Sequence, residues 1–170
     1  MKSKKNIVLI GMMGWGKSLI GKLLSEKLNF EFIDIDNKIE EKEDKTISDI
    51  FKKNGEKYFR RIEEDLSINY LTLENKIISL GGGGYINPII RKQCVKNSIS
   101  IWLDWKDETL IERIKNSKKR PLAMKLNTSE IKKLIVDRSK IYNLSGYKIN
   151  CDKLNKNKIV KKIIKLYENS

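Results

Sequence analysis

Histidine is absent from this chain, and cysteine occurs only at Cys94 and Cys151. Neither cysteine has a metal-ligand spacing or a His partner. That excludes a Cys/His metal centre and leaves two ordinary reduced thiols of a cytosolic protein. Long hydrophobic runs are also missing. The apolar stretches are far too short to cross a bilayer, so no membrane partner is expected and the cytoplasm is the expected compartment. The basic start, Met1-Lys2-Ser3-Lys4-Lys5, leads into only four apolar residues before Gly11, which reads as a first strand rather than a signal peptide. There is no Pro/Ser linker, internal repeat or low-complexity tail. The 170 residues therefore read as one domain, 1–170, long enough to bury a full core.

Arginine is scarce although positive charge is not. Of the 36 basic residues 30 are Lys and six are Arg, and the formal net charge is +14. A charge of that size has two readings. One is an electrostatic footprint for nucleic acid. The other is a composition that fills solvated positions with Lys, Asn and Ile. The lysines are scattered along the whole chain and interleaved with Asn, Ile and Glu, which favours the second reading and no nucleic-acid partner. The charge should still attract anionic substrates at low salt. Where composition pushes basic positions toward Lys, a remaining Arg is expected to need its planar, bidentate fork. Arg60, Arg61, Arg91, Arg113, Arg120 and Arg138 thus become candidates for carboxylate, phosphate or adenine contact, with structural ion pairs as the competing role.

Among what is present, Gly11-Met12-Met13-Gly14-Trp15-Gly16-Lys17-Ser18 matches G-x-x-x-x-G-K-[ST], a phosphate-binding loop. The apolar stretch 6–10 before it reads as a buried strand. After it, Ile20, Leu23, Leu24 and Leu28 recur at helical spacing. Glycines let successive N–H groups curl around an anion, and the helix N-terminus adds partial positive charge. Lys17 reaches the outer phosphates, and the Ser18 hydroxyl can ligate Mg2+. ATP or GTP with Mg2+ is the expected ligand pair.

Further strand candidates are 31–35, 76–80, 99–103 and 147–151. Helical patterns lie near 16–28, 37–43, 46–53, 56–73, 88–95, 107–116, 129–144 and 154–168. The alternation predicts an α/β fold with a parallel sheet covered on both faces. Ligands of such sheets bind beyond the carboxyl ends of the strands.

Three other clusters fall at that edge. Asp34 and Asp36 close the second strand, where side chains two apart share a face. They suit holding metal-bound water and orienting or deprotonating an acceptor hydroxyl; the competing role is that one of them, with Asp36 as a candidate, merely caps the helix starting near Asn37. Gly81-Gly82-Gly83-Gly84 follows the third strand, as a close-approach site for a ligand or as a surface turn. Arg120 lies in a polar stretch from Asn116 to Ser129, which reads as a loop able to close over a nucleotide or as an ordinary exposed loop. Arg138 lies beside the apolar face of a helical pattern and needs an anion, either a substrate carboxylate or a buried acid.

Taken together, the phosphate loop, Phe32-Ile33-Asp34-Ile35-Asp36, the stretch from Gly55 to Glu64 with its Phe59-Arg60-x-x-Glu63, Leu80-Gly81-Gly82-Gly83, and Arg120-Pro121-Leu122 with Arg138 resemble the shikimate kinase family of P-loop small-molecule kinases over the whole chain. The resemblance implies a three-layer α/β/α fold with a five-stranded parallel sheet in the order 2-3-1-4-5. It also implies transfer of the γ-phosphoryl group of ATP to the 3-hydroxyl of shikimate. By the same analogy Ser18 ligates Mg2+ and Asp34 holds it through water. Asp36, Arg60, Glu63, Gly81, Gly82, Gly83 and Arg138 form the shikimate site. Gly14, Trp15, Gly16, Lys17, Ser18 and Leu19 hold the nucleotide phosphates, Arg113 lies near the adenine, and Arg120 is the lid arginine. Lys17, Asp36 and Arg120 carry the catalytic roles. A substrate-binding segment at 37–63 and a lid at 113–125 move on ligand binding, and the family implies a monomer. Two positions depart from its pattern. Trp15 stands where a small residue is usual, so its indole must lie outward, and Leu19 stands where Thr is common, removing one possible phosphate hydroxyl contact. The nearest competing activity is that of a gluconate or nucleoside-monophosphate kinase, which would keep the loop but not the Asp36, Arg60 and Arg138 set.

Overall fold

A computed structural model of the chain describes residues 5–13, 16–116 and 125–170. Five parallel strands, β1 (Asn6–Ile10), β2 (Glu31–Asp34), β3 (Lys76–Ser79), β4 (Ser98–Asp104) and β5 (Tyr147–Asn150), form one sheet in the order β2-β3-β1-β4-β5. This is the order the resemblance implies. β1 lies at the centre, with Ile7 in register with Ile77 of β3 on one side and Ile99 of β4 on the other.

Burial on both faces follows from the pleat. Ile7 and Leu9 point to one side, where they join Ile20 and Leu24 of α1 (Lys17–Leu28) and Ile159, Val160 and Ile163 of α7 (Lys156–Glu168). Val8 and Ile10 point to the other. There they meet α2 (Ile35–Glu43), α3 (Ile47–Leu71), α4 (Pro88–Asn97), α5 (Asp107–Asn116) and α6 (Thr128–Tyr142) through Ile39, Ile62, Ile90, Leu110 and Ile135. A near-continuous apolar strand is what a doubly covered parallel sheet requires. The polar exception, Asn6, is buried but satisfied. Its amide donates to the Leu71 and Leu73 carbonyls, and its carbonyl accepts from Lys76 N–H, tying β1 to the end of α3 and the start of β3.

Two junctions matter for the site. The helical patterns 46–53 and 56–73 are two helical stretches of α3 that meet, as expected, at a break at Gly55, whose φ of 81° and ψ of 170° are non-helical. β2 ends at Asp34 and α2 begins at Ile35, so Asp36 sits in the first helical turn and not on the strand. The cap of α2 is Asp34, whose side chain accepts from Asp36 and Asn37 N–H; Asp36 is not the cap. A 3-10 turn at Gly84–Ile86 follows the glycine run, and Asn87 then caps α4 with Pro88 in its first turn. Arg91 supports this corner by donating to the Tyr85 and Ile86 carbonyls at 3.0 Å each. A capping box of Asn127 and Glu130 starts α6, the helix that carries Arg138.

Cys94 and Cys151 are both buried and free, and burial pushes both thiols up to about 12. They are inert at neutral pH. Among the described residues no helix is long and apolar enough to cross a membrane.

Candidate active site

The phosphate loop, the end of β2 and the glycine run after β3 all lie at the carboxyl edge of the sheet. Gly16 is the N-cap of α1 at φ 71°, a left-handed conformation that glycine adopts without a Cβ penalty. Lys17 is buried, and its ammonium donates to the Gly11 and Met12 carbonyls at 2.8 Å each, closing the loop on itself. Ser18 Oγ donates to Asp34 Oδ2 at 2.5 Å. One Asp34 oxygen thus holds the start of α2 while the other faces the loop. Leu19 is exposed on the first turn of α1. Arg113, on α5, places its guanidinium over the Trp105 ring at 5.2 Å from the centroid. Gly14, Trp15, Arg120 and most of the expected lid lie outside the described residues.

Beside the phosphate loop opens a small cleft. Asp36, Arg60, Glu63, Gly81, Gly82, Gly83 and Arg138 all line it, brought together from α2, α3, the glycine run and α6. Met13, Ile47, Phe51 and Phe59 complete the wall. None of these four was given a site role from sequence, because Ile47, Phe51 and Phe59 at helical spacing read equally as core and Met13 stands at a variable position of the phosphate loop. Phe51 and Phe59 meet at 4.7 Å between centroids, and the Arg60 guanidinium lies 5.3 Å from the Phe59 ring. The cleft therefore has one apolar wall and one charged rim, a pattern suited to a small ring that bears a carboxylate and hydroxyls.

Close approach, not φ, explains the glycines. A Cβ on Gly81 would lie 2.7 Å from Asp36 Oδ1 and 2.9 Å from Glu63 Oε1. One on Gly82 would lie 3.1 Å from Arg138 Nη1, and one on Gly83 would lie 2.3 Å from Arg60 Nη1. The run is a bare backbone floor against which the four charged groups are packed.

Glu63 organises the rim. It is 1% exposed, and its Oε2 accepts from Arg60 Nη1 at 2.7 Å. Its Oε1 has no hydrogen-bond partner among the described residues. Burial pushes the Glu63 carboxyl above its ordinary value, against the pull of Arg60, while Asp36 adds to the rise. For Arg60, burial opposes the charge, but Glu63 and Glu56 outweigh it and hold the guanidinium above its usual value. The Arg60 fork is thereby fixed in place and always charged.

A stability prediction follows from the sign of the Glu63 shift. A carboxyl whose folded pKa is raised stabilises the fold fully below its unfolded value, and that contribution is lost as pH rises through the folded value. Glu63→Gln has nothing to titrate there. Its melting temperature relative to wild type should therefore improve as pH rises from about 4 to about 8. Melting curves across that range test this; a difference that worsens with pH would mean that the Arg60 pair outweighs burial.

Comparison with known proteins agrees with the geometry. The family model described as shikimate kinase matches residues 13–168. The shikimate kinase of Sulfurihydrogenibium sp. is 42% identical over 160 residues, covering 94% of this chain and 96% of that relative. Among solved structures, shikimate kinase from Acinetobacter baumannii in complex with shikimate superimposes with a TM-score of 0.90 at 29% identity, covering 97% of this chain and 93% of that one. The Aquifex aeolicus shikimate kinase gives a TM-score of 0.85 at 37% identity, with 95% of each chain covered.

Proposed function

The chain belongs to the shikimate kinase family, and we propose that the cleft between the phosphate loop, the glycine run and α3 is where it binds its acceptor. It is an ATP-dependent phosphotransferase acting on an alcohol. It moves the γ-phosphoryl group of ATP to the 3-hydroxyl of shikimate, giving shikimate 3-phosphate and ADP in aromatic amino-acid biosynthesis. The observation that carries the site assignment is the convergence of all seven expected acceptor residues on one cleft.

Each role follows from the donors and acceptors present. Arg60 and Arg138 grip the shikimate carboxylate with charge-assisted, bidentate hydrogen bonds. Glu63 holds the Arg60 fork toward the cleft. Asp36 accepts from the hydroxyl that attacks and helps it lose its proton. Phe51 and Phe59 exclude water on the ring's apolar face. Gly16, Lys17, Ser18 and Leu19 receive the nucleotide phosphates, with Gly14 and Trp15 completing the loop. On nucleotide entry the Lys17 ammonium exchanges the Gly11 and Met12 carbonyls for phosphate oxygens. Arg113 serves the adenine side and Arg120 the lid. Segment 37–63 belongs to the acceptor, 113–125 to the lid.

Mg2+ fits the Ser18–Asp34 pair. A hydroxyl and a carboxylate oxygen 2.5 Å apart converge at the mouth of the loop. No group of three or more His, Cys, Asp or Glu side chains able to hold a metal occurs among the described residues. Mg2+ needs none, since it takes one or two protein ligands and completes its shell with water and phosphate. When bound it supplies charge neutralisation on the phosphate oxygens. We further assign the protein to the cytoplasm as a monomer with no nucleic-acid partner.

Purified protein should release ADP with shikimate, ATP and Mg2+, and little with gluconate or CMP in place of shikimate. Folded protein without shikimate-dependent ADP release would overturn the assignment. Within that assay, Arg138→Lys should raise the shikimate KM about tenfold or more, because Lys keeps the charge but loses the fork. An unchanged KM would argue against bidentate binding.

A further inference from the structure

Tyr142 is fully buried on α6, one turn beyond Arg138. Its hydroxyl donates to the Gly82 carbonyl at 2.5 Å. Met12 Sδ of the phosphate loop lies 3.8 Å from the same oxygen and 3.9 Å from Arg138 Nη1. The ring packs on Trp102 of β4 with centroids 5.8 Å apart. Burial pushes the phenol up to about 12, so the group remains a proton donor across the neutral range. One hydroxyl thus joins three segments that build the acceptor cleft, although it is not among the residues that line it.

The consequence lies in the peptide it holds. In a trans peptide the C=O of one residue and the N–H of the next point in opposite directions, and no peptide bond described here is cis. Fixing the Gly82 carbonyl toward α6 therefore turns the Gly83 N–H the other way. That N–H has no protein acceptor among the described residues, and Gly83 lines the cleft next to the Arg60 guanidinium. Two glycines in succession have no side chains to hold this peptide, so the restraint must come from outside it.

We propose that Tyr142 is a positioning residue for the acceptor site: its hydroxyl pins the Gly82–Gly83 peptide so that the Gly83 N–H is presented to the bound acceptor beside Arg60. The proposal rests on the acceptor reading of the cleft. The Gly84 N–H closes a turn on the Gly81 carbonyl at 3.0 Å, with the Gly82–Gly83 peptide at its centre; without the hydroxyl that central peptide loses the bond that sets which way it faces, and the same helix loses its tie to the glycine run just below Arg138.

Tyr142→Phe removes only the oxygen and keeps the ring against Trp102. It should raise the shikimate KM about five- to twentyfold while the ATP KM stays within about twofold. Trp102→Phe is the packing control. It should lower the melting temperature yet leave the shikimate KM unchanged, because the hydroxyl remains. A Tyr142→Phe protein that melts earlier but keeps the wild-type shikimate KM would overturn the proposal. Failure of the acceptor reading is distinct, since wild type itself would then show no shikimate-dependent ADP release. If Tyr142→Phe does not fold, wild-type amide NMR decides. The Gly83 N–H should shift and exchange more slowly on adding shikimate, and an unperturbed Gly83 resonance would overturn the proposal.

Discussion

Asp36→Asn should lower kcat by about 10²–10⁴-fold while the protein stays as stable as wild type. The two halves of that expectation have separate grounds. Asp36 lines the cleft from the first turn of α2, where its carboxylate is the acceptor proposed for the attacking hydroxyl's proton. Asn keeps the shape and a hydrogen-bonding carbonyl, so shikimate still enters, but the amide cannot take the proton. Stability is spared because the cap of α2 is Asp34. Loss of the Asp36 charge also relieves its repulsion of the buried Glu63. Steady-state kinetics with a melting curve on the same preparation check both halves. A variant that keeps kcat and only raises the shikimate KM would show that Asp36 holds a hydroxyl without receiving its proton.

The division of labour between Asp34 and Asp36 marks where sequence reasoning stops. Two acids separated by Ile35 look like neighbours on one strand face, and nothing in Asp-x-Asp marks which one ends the strand. The structure starts α2 two residues earlier than the apolar pattern suggests. The cap moves to Asp34, and Asp36 is carried by the helix into the cleft. Gly55 is the reverse case. The gap between the patterns 46–53 and 56–73 was legible, and the structure breaks the helix there at Gly55. Strand order came from the family resemblance, whereas the place of the glycine run at the binding edge was legible because motifs at strand ends are gathered there by topology; of the scarce arginines, Arg60 and Arg138 meet in the cleft. Phe51, Phe59 and Tyr142 were not legible. An apolar side chain at helical spacing carries no mark of whether it meets core, substrate or a glycine carbonyl.

Gly81 to Gly84 read as a close-approach site for a ligand or as a surface turn, and the neighbours of Gly83 and of Gly21 now separate two consequences of one substitution. Gly83→Ala should raise the shikimate KM about 10- to 100-fold with a modest loss of stability. Its Cβ would fall 2.3 Å from Arg60 Nη1 and 2.8 Å from Cζ and Nη2. A guanidinium on a long, half-buried side chain can swing aside at little cost, but doing so breaks the pair with Glu63 and removes one arm of the carboxylate grip. Gly21→Ala should do the opposite. A Cβ there would fall 2.1 Å from Phe32 Cε2 and 2.5 Å from Cδ2, against the rigid, partly buried ring that β2 packs on α1. Overpacking of that kind costs about 1–3 kcal/mol, which the better helix propensity of Ala, about 1 kcal/mol, offsets only in part. The Gly21→Ala protein should therefore melt earlier with its shikimate KM unchanged. Kinetics and melting on the two variants side by side test the argument. Loss of stability at Gly83 without loss of shikimate affinity would mean that the backbone, not Arg60, gives way, and that Arg60 is not held against the glycine floor for binding.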